Sequence, residues 1–324
     1  MEKLNWGIIG CGTIAHEMAQ SMLDMNREIY AVSHHNSMEK ALDFAMKYKI
    51  RNAYATVDDL LADESIDIVY IASPHNSHYD IMKKAILANK HILCEKAITV
   101  NDRQLEELVV LAKEHHVVIQ EAMTIYHMPL YKKLKEIIDD GAIGKVKMIQ
   151  VNFGSCKEYD VNNRFFSKEL AGGALLDIGV YATSFARYFL SSKPNTVLTT
   201  VDYFETGVDE QSGIIMKNQD GQMVVMALTM RAKQPKRGVI AGEEGFVEVD
   251  VYPRASKATI TYTIDGHQEI IETGDSQKAL QYEVIDMETD VINHTGEDVL
   301  QLSRDVSSLL SANRCQWGMT YPFE

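Results

Sequence analysis

The stretch GIIGCGTIA sets Gly10-x-Gly12-x-x-Ala15 at the point where a short apolar run gives way to a helical pattern. In a strand-to-helix turn of this kind the first glycine makes the tight bend and the second lets the backbone approach a pyrophosphate. A small third residue then lets helix and strand pack closely. Anion binding falls to the amides that open the helix, around Thr13, Ile14 and Ala15, and needs no basic side chain. A dinucleotide is the expected ligand. About 20 residues further on, such folds place an acid on the ribose hydroxyls when they prefer NAD. Here that segment reads AVSHHNSMEK, with no acid at Ser33, His34, His35 or Asn36. His34, His35 and Lys40 suit a 2′-phosphate instead, since a neighbouring phosphate favours the charged imidazole. NADP is therefore the expected cofactor, with NAD as the alternative.

Two further stretches carry groups that can move protons. In HILCEKAIT an apolar run ends on Glu95 and Lys96. Successive strand side chains point to opposite faces, so these two are not a simple ion pair within one pocket. In GGALLDIGVY, Asp177 and Tyr181 stand four apart and project from one face of a helix. Taken alone, Tyr181 reads as a half-buried core tyrosine and Asp177 as an acid favoured by the helix dipole. His75 and His78 have a spacing that suits a metal, but no third ligand accompanies them and no metal is expected.

The elements that must position these groups fall into two styles. Up to about residue 122 short apolar runs alternate with helical patterns: KLNWGIIG (3–10), EIYAVS (28–33), NAYA (52–55), DIVYIAS (67–73), HILCE (91–95) and VVIQEA (117–122). That alternation predicts a doubly wound parallel sheet with crossover helices. Thr56 followed by Asp59, and Asn101 followed by Gln104, look like helix-opening capping boxes. Beyond residue 123 the strands KVKMIQVNF (145–153), TVLTTVDYF (196–204), SGIIMK (212–217) and QMVVMALTM (222–230) follow one another with few helices, these over 128–140, 172–190, 279–294 and 297–312. Asp220-Gly221 and Asp265-Gly266 are strong hairpin signals. The expected fold is an α/β Rossmann domain over 1–122 and an α+β domain over 123–324 with a large open, mainly antiparallel sheet. Met223 to Leu228 is apolar in both strand phases, so both faces of that sheet want cover.

With 46% hydrophobic and 24% charged residues in 324, and no low-complexity tract, the composition is globular. A net charge of -14 argues against nucleic acid or an anionic membrane as partner. The apolar runs are too short for a membrane span or a secretory leader, so a cytoplasmic location is expected. The 4 cysteines are widely scattered and read as reduced packing thiols.

Taken in order, the glycine turn, IASPHNSH, CEKA and GGALLDIGVY resemble the Gfo/Idh/MocA oxidoreductases over essentially the whole chain. The closest likeness is to the dimeric dihydrodiol dehydrogenase and NADP-dependent xylose dehydrogenase branch, because Tyr181 stands where inositol dehydrogenases typically carry histidine. The resemblance implies hydride transfer between NAD(P) and a hydroxyl or carbonyl carbon of a sugar, polyol or cyclic diol. It makes Lys96 and Tyr181 catalytic, with the Lys96 ammonium lowering the phenol pKa and hydrogen-bonding the reacting oxygen. Asp177 would position a substrate hydroxyl or orient that pair. Glu95 would shape the nicotinamide side, and Ser73, Pro74, His75 and His78 would lie along the cofactor. A homodimer or dimer of dimers through the open sheet is implied, with a C-terminal helix packing back on the first domain. The chain departs from the family at Ala97, where proline is usual, and at Tyr126, where arginine is common. The loop GSCKEYDVNNRFF (154–166) is expected to line the pocket with Lys157, Arg164, Phe165 and Phe166. Two other classes stay open: an NAD(P)-binding sugar sensor without turnover and an NAD-dependent glycosidase.

Overall fold

The computed structural model describes residues 4–35 and 37–324; Asn36 and the first three residues, including Lys3 of the expected first strand, lie outside it. Two compact units form: the described residues up to 122 with 280–301, and residues 123–279 with 302–324.

In the first unit six strands alternate with helices. They are β1 (Trp6–Ile9), α1 (Thr13–Asp24), β2 (Ile29–Ser33), α2 (Met38–Tyr48), β3 (Asn52–Tyr54), α3 (Val57–Leu61), β4 (Ile68–Ile71), α4 (His78–Leu87), β5 (His91–Glu95), α5 (Asp102–Glu114) and β6 (Ile119–Ala122). The sheet order is β3-β2-β1-β4-β5-β6, and every pair is parallel. Strand order reverses between β1 and β4, the switch point outside which such sheets bind ligands.

Both sheet faces are covered, which is why these strands read as unbroken apolar runs. Trp6, Ile8, Val32, Tyr70 and Leu93 pack on one side with Met18, Met22 and Phe44. Leu280, Val284 and Met287 of the long helix 279–293 join that layer. Ile9, Ala31, Val69, Ile71, Ile92 and Cys94 pack on the other with Leu60, Met82 and Leu105. The two expected capping residues act as such: Thr56 Oγ1 accepts the Asp59 N–H at 3.1 Å, and Asn101 Oδ1 accepts the Gln104 N–H at 2.9 Å.

The second unit holds α6 (Thr124–His127), α7 (Pro129–Asp139), β7 (Val146–Ser155), α8 (Val180–Phe189), β8 (Thr196–Tyr203), β9 (Asp209–Lys217), β10 (Met223–Thr229), β11 (Lys233–Gly242), β12 (Gly245–Asp250), β13 (Lys257–Tyr262) and β14 (Gln268–Glu272). They form an eight-stranded sheet in the order β14-β13-β12-β11-β7-β10-β9-β8, antiparallel except for β7 beside β10. The two Asp-Gly turns connect β9 to β10 and β13 to β14, with Gly221 at φ +81° and Gly266 at φ +75°.

Strand β10 shows how the sheet is used. Val224, Met226 and Leu228 are buried, whereas Met223, Val225 and Ala227 remain partly exposed. Residues directly opposite in neighbouring strands share a face. The pairings therefore put Leu198, Ile215, Val225, Gln150, Val239, Glu248, Thr259 and Ile270 in one row across all eight strands. Within this row Leu198 is 61% and Ile215 41% exposed, so in the single chain this face is open.

Candidate functional site

The glycine turn takes the shape its residues imply. Gly10 sits at φ +109°, and a Cβ there would come within 2.6 Å of the Ala72 carbonyl oxygen on the neighbouring strand's loop. Only glycine fits. At Gly12 a Cβ would meet nothing within 4 Å, so the backbone over the start of α1 faces open space of the kind a pyrophosphate occupies. Gly12 caps α1 without a side-chain hydrogen bond, and Thr13 is exposed, Ile14 half-buried and Ala15 buried beneath. These residues fit a dinucleotide phosphate held by helix-opening amides.

At the end of β2, His34 is half-buried and His35 and Lys40 are exposed. His34 Nδ1 is buried with no hydrogen-bond partner among the described residues. Burial, then Lys40 and His35, hold the His34 pKa below its ordinary value. The local field is thus positive and suited to an anion.

Lys96 follows β5 at the same strand-end edge, and side chains hold the main chain around it. Glu95 Oε2 accepts the Lys96 N–H at 3.3 Å. The Lys96 carbonyl faces His75 Nε2 at 3.1 Å and the Ala97 carbonyl faces His78 Nδ1 at 3.0 Å. Ile98 N–H donates to Glu121 Oε1 at 3.0 Å. The Lys96–Ala97 peptide bond is cis. Four side chains grip this backbone: His75 from the short turn after β4, His78 from α4, Glu95 from β5 and Glu121 from β6.

His78 does one thing more: its Nε2 faces the Ser73 carbonyl at 2.9 Å. A neutral imidazole carries one N–H, so both contacts are hydrogen bonds only in the doubly protonated ring. The side chain is fully buried and ties the loop after β4 to the segment after β5. Glu95 is likewise turned inward, accepting from the Tyr70 hydroxyl inside the core. Ser73 is half-buried and Pro74 exposed at the same edge. The geometry of Glu95, His75 and His78 is thus that of a support for Lys96.

In the second unit, Leu175–Gly179 winds as a π-helical turn that runs directly into α8, so the helix expected from residue 172 begins later. Asp177 is 7% exposed and Tyr181 half-buried. Lys157 Nζ lies 3.4 Å from Asp177 Oδ2 and 3.4 Å from the centre of the Phe165 ring. Arg164 stacks on the same ring at 4.3 Å. Phe153 lies with its ring centre 6.2 Å from that of Tyr181 and carries Lys236 Nζ at 4.7 Å on its face. Phe166 differs from expectation: it is fully buried against Tyr159 and Phe204, and so belongs to the core. Tyr126 is also buried and stacks on Tyr188.

Two residues at this end carry no signal in the sequence. Lys236 comes from the irregular stretch of β11 between Gln234 and Arg237, where the pairing with β7 shifts register. Asp209, fully buried at the start of β9, accepts the Leu175 N–H at 2.6 Å and so holds the first turn of the segment that bears Asp177 and Tyr181. Gly173, at φ +115°, makes the approach possible, since a Cβ would overlap Asp209 Oδ1 at 2.1 Å. Burial pushes the Asp209 pKa up to about 6 against the pull of the Leu175 amide, its own amide and Arg314.

Among the described residues no group of three His, Cys, Asp or Glu is placed to hold a metal ion, and no helix is long and apolar enough to cross a membrane.

Comparison with known proteins agrees with this geometry. Residues 4–123 match the oxidoreductase family with an NAD-binding Rossmann fold, and residues 131–248 match the Gfo/Idh/MocA C-terminal domain. A trans-1,2-dihydrobenzene-1,2-diol dehydrogenase of Xenopus laevis is 32% identical over 75% of this chain and 74% of its own. A scyllo-inositol 2-dehydrogenase (NADP(+)) of Bacillus subtilis is 28% identical over 98% of both chains. A 3-ketoreductase of Actinomadura kijaniata, solved with NADP and TDP-benzene, shares the fold with a TM-score of 0.86 at 21% identity, over 97% of this chain and 98% of that one. The chain belongs to the Gfo/Idh/MocA family of NAD-binding oxidoreductases.

Proposed function

We propose that this enzyme transfers a hydride between NADP and a hydroxyl or carbonyl carbon of a sugar, polyol or cyclic diol, with Tyr181 as general acid/base assisted by Lys96. The observation that carries the reading is the grip on Lys96: four side chains fix its main chain at the strand-end edge that also bears the glycine turn. When bound, the nicotinamide supplies or accepts the hydride. Tyr181 gives or takes the hydroxyl proton, and Lys96 stabilises the phenolate and the developing oxyanion. Asp177 orients a second substrate hydroxyl. NADP is favoured over NAD because His34, His35 and Lys40 stand where an acid would hold the ribose. The related inositol dehydrogenase, named for NADP(+), points the same way.

Lys96→Met and Tyr181→Phe are each expected to lower kcat by about 10² to 10⁴-fold while NADPH affinity changes only a few-fold. An NADPH-coupled screen over aldoses, polyols, diones and dihydrodiols supplies the substrate. Full turnover in either variant sinks the assignment.

The open sheet face, we infer, is covered by a second copy of the chain. Its row from Leu198 to Ile270 is apolar at Leu198, Ile215, Val225 and Val239, a composition that suits a self-complementary interface. Light scattering should give twice the chain mass, and Val225→Glu should shift it toward the monomer; a wild-type monomer at micromolar concentration refutes the interface.

A further inference from the structure

The segment that bears Tyr181 depends on the turn before it. The π-helical stretch Leu175–Gly179 follows the Gly172-Gly173 pair, whose four main-chain polar groups all have partners. Gly172 N–H donates to the Ser167 carbonyl at 2.8 Å and Gly173 N–H to the Phe165 carbonyl at 2.9 Å. The Gly173 carbonyl accepts the Asp177 N–H at 3.3 Å, and the Gly172 carbonyl accepts the Tyr321 hydroxyl at 2.8 Å. Of these four partners Tyr321 alone is a side chain. The pair is also tightly enclosed: a Cβ on Gly172 would lie 2.6 Å from the Phe165 carbonyl oxygen.

Tyr321 is 3% exposed and belongs to a strap, residues 318–324, that is braced on both sides. The helix Glu297–Trp317 ends pinned to β8: Gln316 Nε2 donates to the Val197 carbonyl at 2.7 Å and Trp317 Nε1 to Thr199 Oγ1 at 3.1 Å. The Tyr203 hydroxyl donates to the Trp317 carbonyl at 3.0 Å. Gly318, at φ +64°, then turns the chain, with its N–H on the Cys315 carbonyl and the Met319 N–H on the Arg314 carbonyl. Buried Arg314 donates from both terminal nitrogens to the Glu324 carboxylate, each at 2.7 Å, and lies over the Tyr321 ring at 4.7 Å. Glu324 Oε2 also accepts the Tyr321 N–H at 2.8 Å. A bidentate pair of this kind fixes geometry as well as adding energy. A phenol that only filled core space would need one acceptor anywhere; this one is framed by an ion pair and ends on the turn that leads to Tyr181.

We propose that Tyr321 is a positioning residue for the proton-transfer step: the strap 318–324 fixes the Gly172-Gly173 turn, and the turn fixes where Asp177 and Tyr181 stand. The proposal rests on reading Tyr181 as the proton-transfer residue, and adds to it a residue too buried to meet substrate itself. The segment hangs from two pins three residues apart, the Gly172 carbonyl on Tyr321 and the Leu175 amide on Asp209. Releasing the first lets the segment pivot on the second. A displacement of about 1 Å in a reacting group is enough to cost about 10²-fold in rate.

The test compares Tyr321→Phe with wild type in the full chain, using NADPH and the substrate found by the screen over aldoses, polyols, diones and dihydrodiols. The variant keeps the ring and loses the hydroxyl. Its kcat should fall about tenfold or more, while the KM for NADPH stays within about twofold. In a Tyr181→Phe background the same change should lower kcat by less than about twofold, because there is no phenol left to misplace. A merely structural role would multiply in both backgrounds, and that result overturns the proposal, as does wild-type kcat in Tyr321→Phe. Glu324→Gln, which keeps the phenol and loosens its frame, should lower kcat in the same background-dependent way, and it carries the test if Tyr321→Phe does not fold. A substrate-free reading uses amide hydrogen exchange with NADP bound. Residues 174–181 should exchange about tenfold faster in Tyr321→Phe while the melting temperature stays within a few degrees; unchanged exchange overturns the proposal. Failure of the underlying reading looks different, since Tyr181→Phe alone would then keep full turnover whatever stands at position 321.

Discussion

Lys96 and Tyr181 are presented by two different devices, one in each unit. Lys96 sits on irregular backbone after a strand, where no ladder or helix satisfies the peptide groups, and two imidazoles and two carboxylates take that role. Tyr181 sits on a helix whose own hydrogen bonds fix it, and a single buried carboxylate, Asp209, holds the opening turn through the Leu175 amide. The first device spreads its hold over four side chains. The second concentrates it in one titratable acid. The first should therefore lose its hold piecemeal, one side chain at a time, and the second at a single residue.

The largest expected effect lies in the glycine turn, where geometry decides everything. Gly10→Ala forces a side chain into φ +109° and against the Ala72 carbonyl oxygen at 2.6 Å. About 3 kcal/mol or more of stability should be lost. Gly12→Ala meets nothing within 4 Å and has an ordinary backbone angle of φ -80°. Its melting temperature should stay within a few degrees of wild type, while NADP affinity falls tenfold or more because the methyl fills the phosphate's space. Equal loss of stability in both variants would break the assignment of Gly12 to ligand approach.

Next comes His78→Ala, which strands the Ser73 and Ala97 carbonyls in a fully buried site. The expected cost is about 2–4 kcal/mol in chemical denaturation. Because Ala97 directly follows Lys96, kcat should fall while the KM for NADPH moves little.

What the sequence disclosed follows the same division. The parallel sheet, the glycine turn and the caps at Thr56 and Asn101 are legible because their signals are local: a period, a spacing, a residue type at a helix start. The grip on Lys96 is half legible. His75 and His78 stand out in SPHNSH, but a spacing that suggests metal ligands or cofactor contacts gives no hint that their partners are backbone carbonyls two loops away. In the second unit the acid and phenol of GGALLDIGVY are visible as an i,i+4 pair, and the loop 154–166 supplies Lys157 beside Asp177, but Lys236 and Asp209 are not legible. Lys236 and Asp209 lie far from that segment in the chain, and neither KQPKRG nor GVDEQ carries a periodicity that predicts burial beside it. Phe166 was misleading for a related reason, since in a loop of mixed aromatic and polar residues only tertiary packing decides which ring turns into the core.

The smallest effect is also the one that separates the two devices most cleanly. With its pKa raised by burial from 3.8 to about 6, Asp209 holds a proton in the folded chain that the unfolded chain releases across that window. The stability this group contributes is therefore full below about pH 4 and is lost as pH rises through about 6. A shift of about two units corresponds to no more than about 3 kcal/mol. Asp209→Asn keeps an oxygen acceptor for the Leu175 amide and cannot ionise. Its stability relative to wild type should rise between pH 4 and pH 7 and level off above, read as the difference of two denaturation midpoints so that other carboxylates cancel. A difference that is flat with pH would mean that Asp209 is already ionised at pH 4, with the helix-opening amides and Arg314 outweighing burial. The opening turn would then be held by a permanent charge, and the contrast with the grip on Lys96 would be one of position alone.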